Sequence, residues 1–195
     1  MAKMEMVKYL KALTLVLVSL IVLSFTSVCA QSEESKLKDV SDAVKLNSDG
    51  IGLLQRGEVL DARKKFESAH DKDPLSPEYP NNVGFTYLLL KDEEKAETYF
   101  KKSLEINPDF FRAHYNLGVL FQKKDNVAKA LEYYKTATEN NPDFPEARYN
   151  LALMYMRKGD KKKAIESFEI FIKIASPEMK QPVQDAKIRI SELSK

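Results

Sequence analysis

Small and apolar side chains recur along this chain with a fixed period of 34 residues. Alanines mark the period most clearly, and an aromatic side chain follows each alanine by four residues, on the same face of a helix. The four pairs are Ala62 and Phe66, Ala96 and Phe100, Ala130 and Tyr134, and Ala164 and Phe168. A period of this length indicates an array of like units rather than one globular core.

Each unit predicts two helices joined by a short turn. A small residue on the first helix lets the second helix approach closely, and these residues are Gly50, Gly84, Gly118 and Ala152. Gly57 and Gly159 lie at the turn, where a left-handed residue ends the first helix. Asp-Pro or Asn-Pro at 73–74, 107–108 and 141–142 ends the second helix. One such pair buries too little surface to stand alone, so we expect the units to stack.

The repeats resemble the tetratricopeptide repeat. The third unit carries the clearest match, with His114, Leu117, Gly118, Phe121, Ala130, Tyr134, Ala137 and Pro142. The resemblance recurs four times in register over residues 43–176. It implies an all-α fold, a right-handed α-solenoid of about four helix pairs. The predicted units are 43–76, 77–110, 111–144 and 145–177, preceded by a helical extension over 31–42 and followed by a capping helix over 178–195.

Several residues depart from the repeat pattern. Asp49 replaces a large apolar residue, so we expect the first helix of unit one to be partly exposed. Pro80 and His114 replace an early aromatic residue, and Pro80 fits only in an opening turn. We expect His114 to be packed rather than to act as a ligand. Phe171, together with the shifted proline at 176–177, predicts an altered junction after unit four.

The first thirty residues have the three parts of a secretory signal peptide. Three lysines precede an apolar centre at 13–25, and polar residues follow after Gln31. We expect residues 1–30 to be removed by a cut between Ala30 and Gln31, because Val28 and Ala30 are side chains that signal peptidases accept. The mature protein is then expected in the periplasm.

Two other interpretations of this segment stay open. The uncharged stretch over 12–32 could span a bilayer as an uncleaved anchor, with the body facing the periplasm. Alternatively, Cys29 could be the acylated residue of a lipoprotein, although Val28 is not the small residue that usually precedes such a cysteine. All of these interpretations place residues 31–195 outside the cytoplasm, and secretion from the cell is a further alternative.

Charge and composition narrow the classes of function. The chain has 31 basic and 29 acidic residues, and removing the three lysines and one glutamate of residues 1–30 leaves 28 of each. This neutral body lacks the concentrated basic face that nucleic acid requires. One cysteine and two histidines predict no metal site. We find no motif for phosphate binding or nucleophilic catalysis, so we expect no cofactor and no enzyme activity.

The resemblance implies that first helices line a concave surface that holds a ligand. One column on these helices is Asn82, Asn116 and Asn150, spaced by 34 residues. Neighbouring helices lie about 8–10 Å apart and an extended peptide rises about 3.3 Å per residue, so amides in this column could hold a peptide backbone at every third residue. Alternatively, the asparagines help the helices pack.

Other side chains of the same surface complete the candidate site. Tyr115 and Tyr149 form an aromatic pair, and Arg112, Lys123 and Arg157 add positive charge. Tyrosine and arginine are frequent anchors of interfaces. The family's carboxylate clamp is not supported, because unit one has Asn47 and Ile51 where it needs Lys and Asn.

We therefore expect an exported, non-enzymatic adaptor that binds a peptide or protein partner in its concave groove, during assembly of an envelope complex. We expect no nucleic-acid partner, and membrane contact only through an uncleaved N-terminal segment. The alternative is a scaffold that associates with itself.

Overall fold

The computed structural model describes residues 5–6 and 32–195 of the chain. The predicted signal peptide, its cut between Ala30 and Gln31, and Cys29 all lie outside the described residues. Within 32–195, nine helices follow one another and no strand occurs. They are α1 over 32–55, α2 Val59–Lys72, α3 Glu78–Leu89, α4 Glu93–Ile106, α5 Phe111–Lys123, α6 Val127–Asn140, α7 Pro145–Lys158, α8 Lys161–Ile174 and α9 Lys180–Leu193.

The helices pack mainly on their neighbours in sequence. The pairs α3 with α4, α5 with α6, and α7 with α8 form the tightest associations, and each such pair packs on the next along the chain. In addition, α3 packs directly against α5. This arrangement confirms the predicted all-α solenoid of repeated helix pairs.

The glycines of the first helices lie directly under the aromatic rings of the second helices. A Cβ atom added to Gly118 would lie 2.6 Å from ring carbons of Tyr134. On Gly84 it would lie 2.7 Å from the ring of Phe100. Such distances are far shorter than normal carbon contacts, so a side chain at these positions would displace the ring. Each glycine of the 34-residue series therefore packs against one aromatic ring of the second 34-residue series.

The turns inside the units all contain a residue with positive φ at the same repeat position. Gly57 and Gly159 have φ values of 80° and 82°, as their residue type predicts. The corresponding residues of units two and three are Lys91, with φ of 61°, and Asp125, with φ of 58°. The left-handed turn is thus a property of the whole array, including the two units that lack glycine there.

The second helices begin with a repeated cap, which unit one lacks. The side chains of Asp92, Asn126 and Asp160 each accept a hydrogen bond from the backbone N–H three residues later. Glu58, at the matching place before α2, makes no such bond. Short polar side chains satisfy one of the free N–H groups at the start of a helix, and a longer glutamate does so less well.

The residues that break the repeat pattern have defined places in the fold. Asp49 is exposed on α1, which runs without interruption through the predicted extension. Pro80 is the third residue of α3 and is buried there, where its missing N–H has no helical acceptor. Phe171 is fully buried, and its ring centroid lies 5.1 Å from that of Tyr149. The helix after unit four, α9, buries Ala186 against this aromatic cluster.

His114 lies half-buried on α5, and its Nε2 is 2.7 Å from the carbonyl oxygen of Pro108. Its Nδ1 is buried and has no hydrogen-bond partner in the described part of the chain. Among the described residues there is no group of three or more candidate metal ligands. In the same part of the chain, none of the helices has the length and apolar character of a membrane span.

Candidate functional site

The asparagines of the candidate site form a chain of hydrogen bonds across the first helices. Asn116 on α5 donates to Asn81 on α3 at 2.8 Å, and Asn81 donates to its neighbour Asn82 at 3.2 Å. Asn82 in turn donates to Asn47 on α1 at 2.8 Å. Asn47, Asn81 and Asn116 are buried. The hydrogen bonds of these amide nitrogens join successive units. A ligand can therefore bind only polar atoms of the asparagines that these hydrogen bonds do not use.

The pattern changes between α5 and α7. Asn150 donates to the hydroxyl of Tyr115 at 3.3 Å, instead of to an asparagine. Its Oδ1 has no hydrogen-bond partner among the described residues, so this oxygen can accept from a ligand. Burial raises the pKa of Tyr115, while its hydrogen bond with Asn150 acts in the opposite direction. Tyr115 therefore stays a neutral phenol at physiological pH.

Tyr149 makes its polar contact with the last helix. Its hydroxyl donates to Asp185 of α9 at 2.5 Å, and Asp185 also accepts from Arg189 at 2.5 Å. The hydrogen bond from Arg189, helped by Tyr149, lowers the pKa of Asp185. Tyr149 is thus held against the last helix, and no ring contact between Tyr115 and Tyr149 occurs among the described residues.

The three cations of the candidate site all form ion pairs between units. Arg112 lies 3.5 Å from Glu78, and Lys123 lies 2.9 Å from Glu93. Arg157 pairs with Asp125, the residue that takes positive φ after α5. These pairs are solvent-exposed, so each contributes little to stability and is weakened by salt.

Four of the eight candidate residues converge on one groove between α5 and α7. The groove has a volume of about 500 Å³ and is lined by Tyr115, Val119, Gln122, Lys123, Tyr134, Asn150 and Arg157. We call it the α5–α7 groove. Both charged residues in its lining are cations, and the carboxylates that pair with them lie outside it. Asn82, Arg112, Asn116 and Tyr149 do not line it.

An apolar column meets the groove at Val119 and is not part of the predicted site. Its members have the 34-residue spacing and are Ile51, Phe85, Val119 and Leu153. Ile51 is 41% exposed and Phe85 is 37% exposed. Val119 and Leu153 are half-buried. The sequence shows these four residues only through their 34-residue spacing. Apolar residues at a helical period are usually assigned to the core.

Two family models described as tetratricopeptide repeat match residues 81–110 and 115–178. The chain belongs to the tetratricopeptide-repeat family. The matched ranges contain α3 to α8, with the α5–α7 groove inside them. The resemblance seen in the sequence is thereby confirmed.

This tetratricopeptide-repeat chain is also similar to one characterised assembly protein. It is 32% identical over 90 residues to the Photosystem I assembly protein Ycf3 of Acaryochloris marina. The match covers 45% of this chain and 54% of that protein, which is about half of its length.

Two solved structures share the fold. YrrB, described as a tetratricopeptide protein with an unusual peptide-binding site, matches with a TM-score of 0.60 at 20% identity, over 85% of this chain and 80% of that one. The first such domain of Spaghetti (RPAP3), solved with the HSP90 peptide SRMEEVD, matches with a TM-score of 0.56 at 22% identity, over 62% and 95%.

Proposed function

We propose that this protein is a non-enzymatic adaptor that holds a peptide or protein segment in the α5–α7 groove. The observation that carries this proposal is the convergence of Tyr115, Lys123, Asn150 and Arg157 around one open depression. Aromatic, amide and cationic side chains on one surface provide the contacts by which interfaces anchor a partner.

The lining of the groove favours an extended segment that carries acidic and apolar side chains. Val119 offers an apolar contact, while Lys123 and Arg157 provide the only charges in the lining. The Oδ1 of Asn150 can accept a backbone N–H of the bound segment. Tyr115 is held in place by packing, since its ring centroid is 5.0 Å from that of Phe144. A rigid aromatic anchor loses little conformational entropy on binding.

The similar proteins support an adaptor role. YrrB and the Spaghetti domain are both described through peptide binding, and Ycf3 through assembly of a complex. From the signal-like character of the first thirty residues, we extend the proposal to export of residues 31–195 after cleavage at Ala30, and to a role in assembly of an envelope complex in the periplasm. Mass spectrometry of the protein from cells tests the cleavage. An N-terminus at Gln31 agrees with it, and an intact Met1 contradicts it.

Site-specific cross-linking in the native compartment tests the groove. A photo-reactive phenylalanine analogue replaces Val119 in the groove, and in a matched variant it replaces Glu169, an exposed residue of α8. We expect capture of a discrete partner at position 119, loss of that capture when Lys123 and Arg157 are both changed to Ala, and no capture at position 169. Equal capture at both positions, or none at 119, contradicts binding in the groove.

A self-associating scaffold is a second candidate, because α1 carries an unpartnered apolar stripe. Leu37, Val40, Val44 and Ile51 are exposed large hydrophobic residues spaced by three, four and seven positions on one helix face. Such a face indicates an interaction surface. If it joins copies of the chain, sedimentation of the mature protein depends on concentration, and Val44→Glu abolishes this dependence. Leu75→Glu, at an exposed leucine off the stripe, is the matched control.

A further inference from the structure

A stack of two aromatic rings is repeated in units two and three. Tyr87 at the end of α3 stacks on Tyr99 of α4, with ring centroids 5.4 Å apart and planes inclined by 22°. In the next unit, Phe121 stacks on Tyr133 at 5.5 Å and 6°. The members of each series are 34 residues apart. Stacked aromatic pairs contribute beyond the area that they bury.

A lysine approaches the first ring of each stack. Lys95 lies 5.3 Å from the ring centroid of Tyr87, and Lys129 lies 4.7 Å from that of Phe121. Unit four repeats this part of the arrangement, because Lys163 lies 5.5 Å from the ring of Tyr155. The ring and its cation are therefore present three times.

Unit four lacks the second ring. Ser167 occupies the position that Tyr99 and Tyr133 hold in the earlier units. A crevice of about 230 Å³ opens there between α6, α7 and α8, and both Tyr155 and Ser167 line it. The side chains of Lys135, Lys163 and Glu166 form part of its walls. This crevice shares no residue with the α5–α7 groove.

A second substitution accompanies the missing ring. His114, whose ring centroid lies 6.1 Å from that of Tyr133, is replaced in unit four by Arg148, which lines the crevice. The Nε of Arg148 is buried and has no hydrogen-bond partner among the described residues. Burial lowers the pKa of this guanidinium from its usual value. A buried donor without a partner is costly, so the packing around Arg148 is incomplete on this side of unit four.

We propose that this crevice binds an aromatic side chain of a protein partner, stacked on Tyr155 where Tyr99 and Tyr133 stack in the earlier units. Tyrosine fits best, because Arg148 can donate to its hydroxyl or to its backbone carbonyl. The volume is below the roughly 300–1,000 Å³ of ordinary small-molecule sites and suits one side chain. This site goes beyond the proposed groove, and a partner could occupy either one alone.

Nuclear magnetic resonance with N-acetyl-tyrosinamide as the probe tests the proposal without a known partner. We expect saturable shifts of the Tyr155 ring and of the Arg148 Nε–H signals in residues 31–195. In Ser167→Tyr the chain supplies its own ring, so we expect probe affinity to fall at least tenfold while the melting temperature rises. Ser167→Ala keeps the crevice open and should keep the affinity. Lys123→Ala changes only the α5–α7 groove, so it should leave the probe-induced shifts at the crevice unaltered. This expectation holds even if the groove binds nothing.

Three results would overturn the proposal. The first is an absence of saturable shifts in the wild-type protein, which would make the crevice a packing defect. The second is equal binding of N-acetyl-leucinamide, which has no ring to stack. The third is tenfold tighter binding of 4-hydroxyphenylacetate, which would indicate a small aromatic acid instead of a protein side chain. If Ser167→Tyr fails to fold, Tyr155→Leu removes the stacking surface, and unchanged probe affinity in that variant counts against the proposal.

Discussion

Asn116 donates a hydrogen bond of 2.8 Å to Asn81, 35 residues earlier in the chain, and both side chains are buried. Asn116→Ala removes the donor and leaves Asn81 with a buried oxygen that lacks this partner. We expect the free energy of unfolding to fall by about 1–3 kcal/mol, measured by urea denaturation. Asn140→Ala is the control, because that asparagine donates from an exposed site to the carbonyl oxygen of Asp109. An equal loss in both variants would refute a special role for the buried contact.

Gly118 and Gly52 offer a matched pair of glycine substitutions. Gly118→Ala places a Cβ 2.6 Å from the ring of Tyr134, and we expect a loss of about 1–3 kcal/mol in stability. Gly52→Ala meets only the end of the Arg56 side chain at 3.7 Å, so we expect a gain of up to about 1 kcal/mol from better helix propensity. Thermal and urea unfolding measure both. Changes of the same sign would contradict the packing that we describe.

The positive φ of Lys91 predicts a stabilising substitution. A left-handed backbone costs an ordinary residue about 1–2 kcal/mol, and the added freedom of glycine in the unfolded chain offsets about 0.4–1 kcal/mol of this. Lys91→Gly should therefore raise the free energy of unfolding by up to about 1 kcal/mol. Gly57→Ala, at the matching turn of unit one, should lower it. A stabilising Gly57→Ala would show that the turn is not left-handed in solution.

The lowered pKa of His70 predicts that mild acidification reduces the stability of the folded protein. Burial lowers its pKa below the usual value for histidine of about 6.5, and the charge of Lys102 adds to this, while Asp71 and Asp73 oppose it. The folded state then binds fewer protons than the unfolded state, so stability falls as the pH drops below about 6.5 and stops falling below the folded pKa. His70→Gln should reduce this pH dependence in urea titrations between pH 7.5 and 5, whereas identical curves would contradict the shift.

The stacking of the units could be predicted from the sequence because side-chain size encodes it. A small residue recurs with each aromatic ring in the sequence, and in units one to three it is a glycine that packs against the ring, as Gly118 and Tyr134 show. The left-handed turns could be predicted only where glycine marks them. At Lys91 the residue type gives no sign of the positive φ, and at Asp125 it gives only a weak one, since aspartate adopts this conformation more often than most residues.

The candidate site was harder to predict, for a physical reason. An asparagine suits a peptide backbone and a neighbouring asparagine equally well, so the Asn82, Asn116 and Asn150 series does not reveal which it binds. The structure shows that their amide nitrogens join helices, and whether their remaining atoms hold a ligand stays a prediction. The crevice was not predicted from the sequence, where its only sign is Ser167 at the position that Tyr99 and Tyr133 hold in units two and three and Lys65 holds in unit one.

The contacts between units also determine how the array responds to force. Helix α3 packs directly on α5, whereas α5 and α7 have a groove between them. This groove is bridged by α6, by the hydrogen bond from Asn150 to Tyr115 and by the ion pair of Arg157 with Asp125. An array of this kind is elastic along one dimension, since each unit touches only its neighbours. Widening or narrowing the α5–α7 groove would therefore change the angle between units three and four. A partner bound there would restrict that motion.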